Sequence, residues 1–110
     1  LISLNRFSAV EPSMVPVLRL AIGLASAYNR QQVVVVLHGE GVLCGLRASN
    51  LGSVDRYLKS ARAHKIDLLV EQEELGLRGI AAESITPALV CISAAELIER
   101  WRAADLHLRV

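Results

Sequence analysis

The sequence has no apolar run long enough to span a membrane. Its longest stretches, Val33 to Leu37 and Leu18 to Ala27, fall well short of the roughly 20 residues a bilayer requires, and Gly23 and Ser26 interrupt the second. No transmembrane helix is expected. A basic run is missing too: 12 Lys and Arg are interspersed with 11 Asp and Glu, for a formal charge of +1, so no direct nucleic-acid partner is expected. The two cysteines, Cys44 and Cys91, stand far apart and make no disulfide framework. No charged start, apolar core and cleavage site open the chain, which gives the expectation of a cytoplasmic protein with free thiols. At 110 residues there is room for one domain, 1–110, and not for two. Against these absences stands a surplus. Apolar residues make up 53% of the chain and charged ones 21%, a high ratio for a small domain, and some of that apolar surface is expected to be covered by another chain.

Read for periodicity, the sequence alternates strand and helix. A short strand is predicted at Leu1–Arg6. From Ser13 to about Tyr28, Val17, Leu18, Ala21, Ile22, Leu24 and Ala25 recur at helical spacing, with Pro16 tolerable in a first turn. That helix is apolar nearly all round, so it either lies under other elements or faces a partner. Val33–Leu37 is β-branched without alternation, which suits a central strand covered on both faces. It ends in His38-Gly39-Glu40-Gly41, read as a tight turn at a carboxyl end, where open α/β sheets place ligands. A second amphipathic helix buries Val54, Tyr57, Leu58 and Ala61 and runs to about His64. Ile66–Val70 is a third strand, and Glu71-Gln72-Glu73-Glu74 starts a short helical turn closing at Gly79. Ala88–Ile92 is a fourth strand. Ser93 and Glu96 match a capping box ahead of a helix whose buried stripe is Leu97, Ile98, Trp101 and Ala104, and Leu106–Val110 alternates as a final edge strand. The economical fold is α/β: a flavodoxin-like three-layer sandwich with a mostly parallel sheet of about five strands and helices on both faces.

Several residues are candidates for chemistry. Cys91 ends a strand just before a helix start, where a helix dipole favours a thiolate, but a Val-Cys-Ile triplet more often packs in a core. Cys44 follows a glycine turn, with Arg47 and His38 nearby, and is expected to be either exposed and reactive or packed under the loop. His38 titrates near neutrality at a ligand-prone strand end; a solvated loop histidine is the commoner outcome. His38, Glu40 and Cys44 are a weak metal signal without a CxxC or HxxxH partner, and no metal is expected. Glu71, Glu73 and Glu74 are like-charged neighbours, suited to acid–base work or to a solvated helix start. Arg78 and Gly79 order the loop or contact a neighbouring chain. Gly39-Glu40-Gly41 is too short and too acidic to cradle a phosphate, so no cofactor is expected.

Three segments, in order, resemble the DsrE, DsrF and DsrH superfamily of sulfur-relay proteins, and most closely its DsrH or TusB branch. They are Leu4-Asn5-Arg6-Phe7-Ser8, the strand closing in Gly39-Glu40-Gly41-Val42, and Glu74-Leu75-Gly76-Leu77-Arg78-Gly79-Ile80; the tail Leu106–Val110 looks more like the DsrF or TusC branch. The resemblance implies a flavodoxin-like subunit of a hexamer or trimer. Its partners would be DsrE- or TusD-like and DsrF- or TusC-like subunits, or identical chains, with a small sulfur-carrier protein as acceptor. The implied process is persulfide transfer toward 2-thiouridine in tRNA or cytoplasmic sulfur oxidation. Lining up Arg78-Gly79-Ile80 with the family's basic residue, glycine and valine puts Glu71 at the sulfur-carrying cysteine. A carboxylate cannot carry a persulfide. The place of the DsrH branch's own cysteine falls at about Val17. A non-catalytic, partner-binding subunit is therefore expected; a sulfurtransferase using Cys44 or Cys91, or an unrelated binding role on the same fold, stands beside it.

Overall fold

A computed structural model describes residues 2–4, 14–27, 32–46, 54–104 and 108–109. Its elements follow in chain order: β1 (Ile2–Leu4), α1 (Val15–Ala27), β2 (Val34–Leu37), a 3-10 helix (Gly39–Gly45), α2 (Val54–Ala63), β3 (Asp67–Glu71), α3 (Gln72–Leu77), a short 3-10 turn (Ala82–Ser84), β4 (Val90–Ile92), α4 (Ala94–Ala103) and β5 (Leu108–Arg109). Strands β2, β3 and β4 form the body of the sheet. The short strands β1 and β5 extend it to the order β4-β3-β2-β1-β5, every pair parallel.

That order dictates where the helices lie. Three successive steps from β1 to β4 move the same way across the sheet, so right-handed crossovers put their helices on one face; the step from β4 back to β5 puts α4 on the other. The core follows the same division. Val35, Leu37, Leu68 and Val70 point to the first face, where they join Met14, Val17, Leu18, Ala21, Leu58, Ala61 and Leu75. Val36, Leu69 and Ile92 point to the second, against half-buried Val34 and Leu97. Alternation along each strand produces both sets.

α1 packs by one side only: Val17, Leu18 and Ala21 are buried, while Pro16, Arg19, Gly23 and the large apolar Leu20, 38% exposed, lie on the outer side. His64 fastens it to α2, accepting from the Ser26 hydroxyl at 3.1 Å while its Nδ1 donates to the Ser60 carbonyl at 2.8 Å. α2 and α3 stop in the same way. The Ile66 amide reaches back to the Ala61 carbonyl, and the Ile80 amide to that of Leu75, across a residue of positive φ. In α3 this residue is Gly79 at φ 65°, as its sequence position implies; in α2 it is Lys65 at φ 58°.

The structure corrects four readings. His38-Gly39-Glu40-Gly41 is not a closed tight turn. Gly39, at φ 55°, begins a 3-10 helix that continues to Gly45, because Val42 and Cys44 are drawn into the core. β4 is shorter than Ala88–Ile92: the amide of Leu89 closes a turn onto the Thr86 carbonyl, and pairing starts at Val90. The stripe on α4 is shallow. No α4 residue is fully buried; Leu97 and Trp101 are half-buried and Ile98 is 53% exposed. One half of its capping box forms, with the Ser93 hydroxyl accepting from the Glu96 amide at 3.2 Å. The readings at Leu1, Asn5 to Ser8, Arg47 and Leu106 to His107 lie outside the described residues, as does Val110.

Candidate functional site at the carboxyl ends of β3 and β4

Neighbouring parallel strands whose continuations leave to opposite faces open a crevice between their carboxyl ends. Here the pair is β3 and β4. From β3 the chain turns into α3, whose Leu75 enters the core of the first face; from β4 it turns into α4, whose Leu97 packs on the second. Glu71, Cys91 and Ser93 stand at these ends, and Glu71 is in register with Ile92.

The crevice is filled by the chain's own acids. Glu73 accepts a hydrogen bond from the Ala94 backbone amide at 2.8 Å, so a carboxylate of α3 sits on the first free amide of α4. A helix start carries unpaired amides and the positive end of the backbone dipole, and an anion there is stabilised. Glu74 turns the other way and takes the Arg78 Nε–H at 2.8 Å. Glu71, half-buried, ends β3 and precedes α3. Sequence reasoning sought the acid of the cap within α4 itself, at Glu96. The acid that arrives comes from α3, and only the strand order reveals the meeting.

Cys44 takes the packed one of its two expected environments, and Cys91 departs from the core position its strand suggests. Cys44 is 2% exposed inside the 3-10 helix. Burial raises its thiol pKa, and the nearby Glu40 carboxylate raises it further, so the thiol is held neutral. It packs, and takes no part in exposed-thiol chemistry. Cys91 is exposed, although a Val-Cys-Ile strand reads as core, because β4 is outermost in the sheet: in register with Val70 it shares the first face but lies at that face's open margin. His38 is not a solvated loop histidine. Half-buried at the end of β2, it stands edge-on to Trp101 of α4, centroids 6.2 Å apart and planes at 84°. The Gly39-Glu40-Gly41 segment lies beyond β2 and contributes no group to the crevice contacts above. Val17, at the place of the branch's other cysteine, is buried in the core. Among the described residues no group of His, Cys, Asp or Glu is placed to hold a metal ion, His38, Glu40 and Cys44 included. No helix among them is long and apolar enough to cross a membrane.

Solved structures match this architecture over its length, two of them as follows. The ychN protein from E. coli superposes with a TM-score of 0.79 at 22% identity, covering 99% of this chain and 96% of the other. The chain has the ychN fold. MTH1491 from Methanobacterium thermoautotrophicum, a protein of unknown function, superposes with a TM-score of 0.77 at 9% identity, with the same coverage of each chain. No protein-family model matches the sequence, and no curated protein matches it. What the likeness to ychN and MTH1491 shows is the path of the chain.

Proposed function

We propose that this chain is a DsrE-like subunit, of the DsrH or TusB kind, in a cytoplasmic sulfur-relay assembly, and that it binds partners without carrying sulfur itself. The observation that carries this reading is the carboxylate in the crevice. Where the family resemblance calls for a sulfur-carrying cysteine the chain has Glu71, and the adjacent helix start, the setting that would favour a thiolate, is taken by Glu73. The partners are DsrE- or TusD-like and DsrF- or TusC-like chains, or copies of this one, in a trimer or hexamer, with a small sulfur carrier downstream. The outcome served is tRNA 2-thiolation or cytoplasmic sulfur oxidation.

A second reading is favoured by one observation, the exposure of Cys91 just ahead of the N-cap of α4. In it Cys91 accepts the terminal sulfur of a donor persulfide and passes it on. One experiment decides between the two. The purified chain is incubated with a cysteine desulfurase and free cysteine, and intact mass is read with and without reductant. The proposal expects no reducible gain of a sulfur atom, and sulfur transfer restored when a DsrE- or TusD-like subunit is added. A gain lost in Cys91→Ser overturns it in favour of the second reading.

A further inference from the structure

The outer surface of α1 and α2 is basic. α2 buries Val54, Leu58 and Ala61 and leaves Arg56, Lys59 and Arg62 exposed, with exposed Lys65 in the turn beyond its end. α1, its neighbour on the same face of the sheet, exposes Arg19 and carries no acid. The acid among these residues is Asp55, ion-paired to Lys59 at 3.2 Å. Along the chain the cations of α2 are separated by pairs of other residues, Tyr57-Leu58, Ser60-Ala61 and Ala63-His64, so the sequence shows no basic run. The helical period gathers them: Arg56, Lys59 and Arg62, three positions apart, form one ridge with neighbours about 5–6 Å from each other.

These cations are not neutralised within the fold. Elsewhere Arg78 and Arg100 are ion-paired, to Glu74 and Asp67, whereas of Arg19, Arg56, Lys59, Arg62 and Lys65 only Lys59 has an ion-pair partner among the described residues. Arg56 lies over the Tyr57 ring, 5.6 Å from its centroid, a contact that holds the guanidinium and leaves its charge. The platform beneath is fixed as well, since the His64 bonds to Ser26 and Ser60 fasten α2 to α1.

What α2 lacks decides its occupant. The large apolar residues exposed among the described ones, Leu20, Leu77, Val90 and Ile98, all lie off this helix. A protein interface is built around an apolar centre and a membrane-surface helix inserts its apolar face, whereas the apolar stripe of α2 is already in the core. Phosphate contacts need no such centre, because a row of Lys and Arg gains free energy by releasing counterions from a nucleic-acid backbone. Seated on the sheet beside α1, the helix does not enter a duplex groove, and a single strand laid along its ridge is what it accommodates. We infer that α2, with Lys65 and Arg19, binds single-stranded RNA through its phosphates, without reading base sequence. The choice of RNA over DNA rests on the proposed function, which has RNA thiolation among its outcomes; the charge argument stands apart from it.

The test is fluorescence anisotropy of a labelled mixed-sequence RNA strand of about 20 nucleotides, titrated with the purified full chain, with thermal melts to confirm that each variant is folded. A dissociation constant below about 100 μM is expected at about 0.05 M KCl, rising about 30-fold by about 0.2 M as counterions return to the strand. Lys59→Gln with Arg62→Gln is expected to weaken binding about tenfold at the lower salt and to lower the slope of log K against log salt by about 1.4. Arg62→Lys, which keeps the charge, and Arg102→Gln on α4 leave both unchanged. No binding at about 100 μM protein overturns the inference, as does binding that the folded double variant leaves intact. Tighter binding to a duplex of the same length, to a DNA strand of the same sequence, to polyglutamate or to phosphatidylcholine–phosphatidylserine vesicles gives the surface to another occupant and also overturns it. Sulfur transfer does not enter this readout. RNA binding beside a failed sulfur-transfer experiment overturns the proposed function and leaves this surface standing, and the reverse pair of results does the opposite.

Discussion

On one face of the sheet Val35, Leu37, Leu68 and Val70 lie beneath α1, α2 and α3, in a core that reaches out to Met14 and Leu89. On the other, Val36, Leu69 and Ile92 lie beneath α4, none of whose residues is fully buried. The difference follows from the order of the strands. Three crossovers lead to the first face and one to the second. The thick face holds the larger core, and the thin face is covered by α4.

The comparison is broken most directly by truncating one apolar side chain on each side. Leu18→Ala, at a fully buried site, is expected to lower unfolding free energy by about 3 kcal/mol in urea titrations. Leu97→Ala, half-buried on the thin face, is expected to cost about 1 kcal/mol. Equal losses would show that the faces contribute alike. The two thiols sharpen the same contrast. In the native protein a small maleimide is expected to label Cys91 roughly 100-fold faster than Cys44, whose reaction waits on opening of the core. In denaturant the two rates converge, and a fast Cys44 in the native state would refute its burial.

Smaller effects lie at the helix ends. Ser93→Ala removes the hydroxyl that accepts from Glu96 and is expected to cost about 1 kcal/mol, read as a lowered melting midpoint. Lys65→Gly relieves a left-handed residue at the close of α2 and is expected to stabilise by about 0.5 kcal/mol, since the gain is offset by a more flexible unfolded chain. The smallest effect is a slope. The folded protein holds the Cys44 proton more tightly than the unfolded chain, so stability is complete below the ordinary thiol pKa of 9.0 and falls as pH rises past it toward the raised folded value. Cys44→Ala is expected to flatten that alkaline decline in melts taken across the range, whatever it costs in packing.

Much of the architecture was readable from residue types. The unbroken Val33–Leu37 run marked the central strand, Gly79 marked the close of α3, and Ser93 marked the start of α4, because each is a local requirement with a local signature. What escaped depends on strand order. Cys91 reads as core within its own strand, and only its place at the sheet's edge exposes it. Cys44 reads as a loop residue, and only the burial of the 3-10 helix encloses it. Glu73 and Ala94 are 21 positions apart, and His38 meets Trp101 across a face of the sheet. Such meetings are properties of the fold, and no periodicity within one segment announces them.

Ile2 is in register with Leu108. One side of β1 is therefore matched only when β5, separated from it along the chain by every other element of the sheet, has docked, and parallel pairing offers no hairpin as a stopgap. Until β5 docks, β1 keeps one unmatched side, so a species with every other strand paired still presents an open parallel edge to whatever chain it meets.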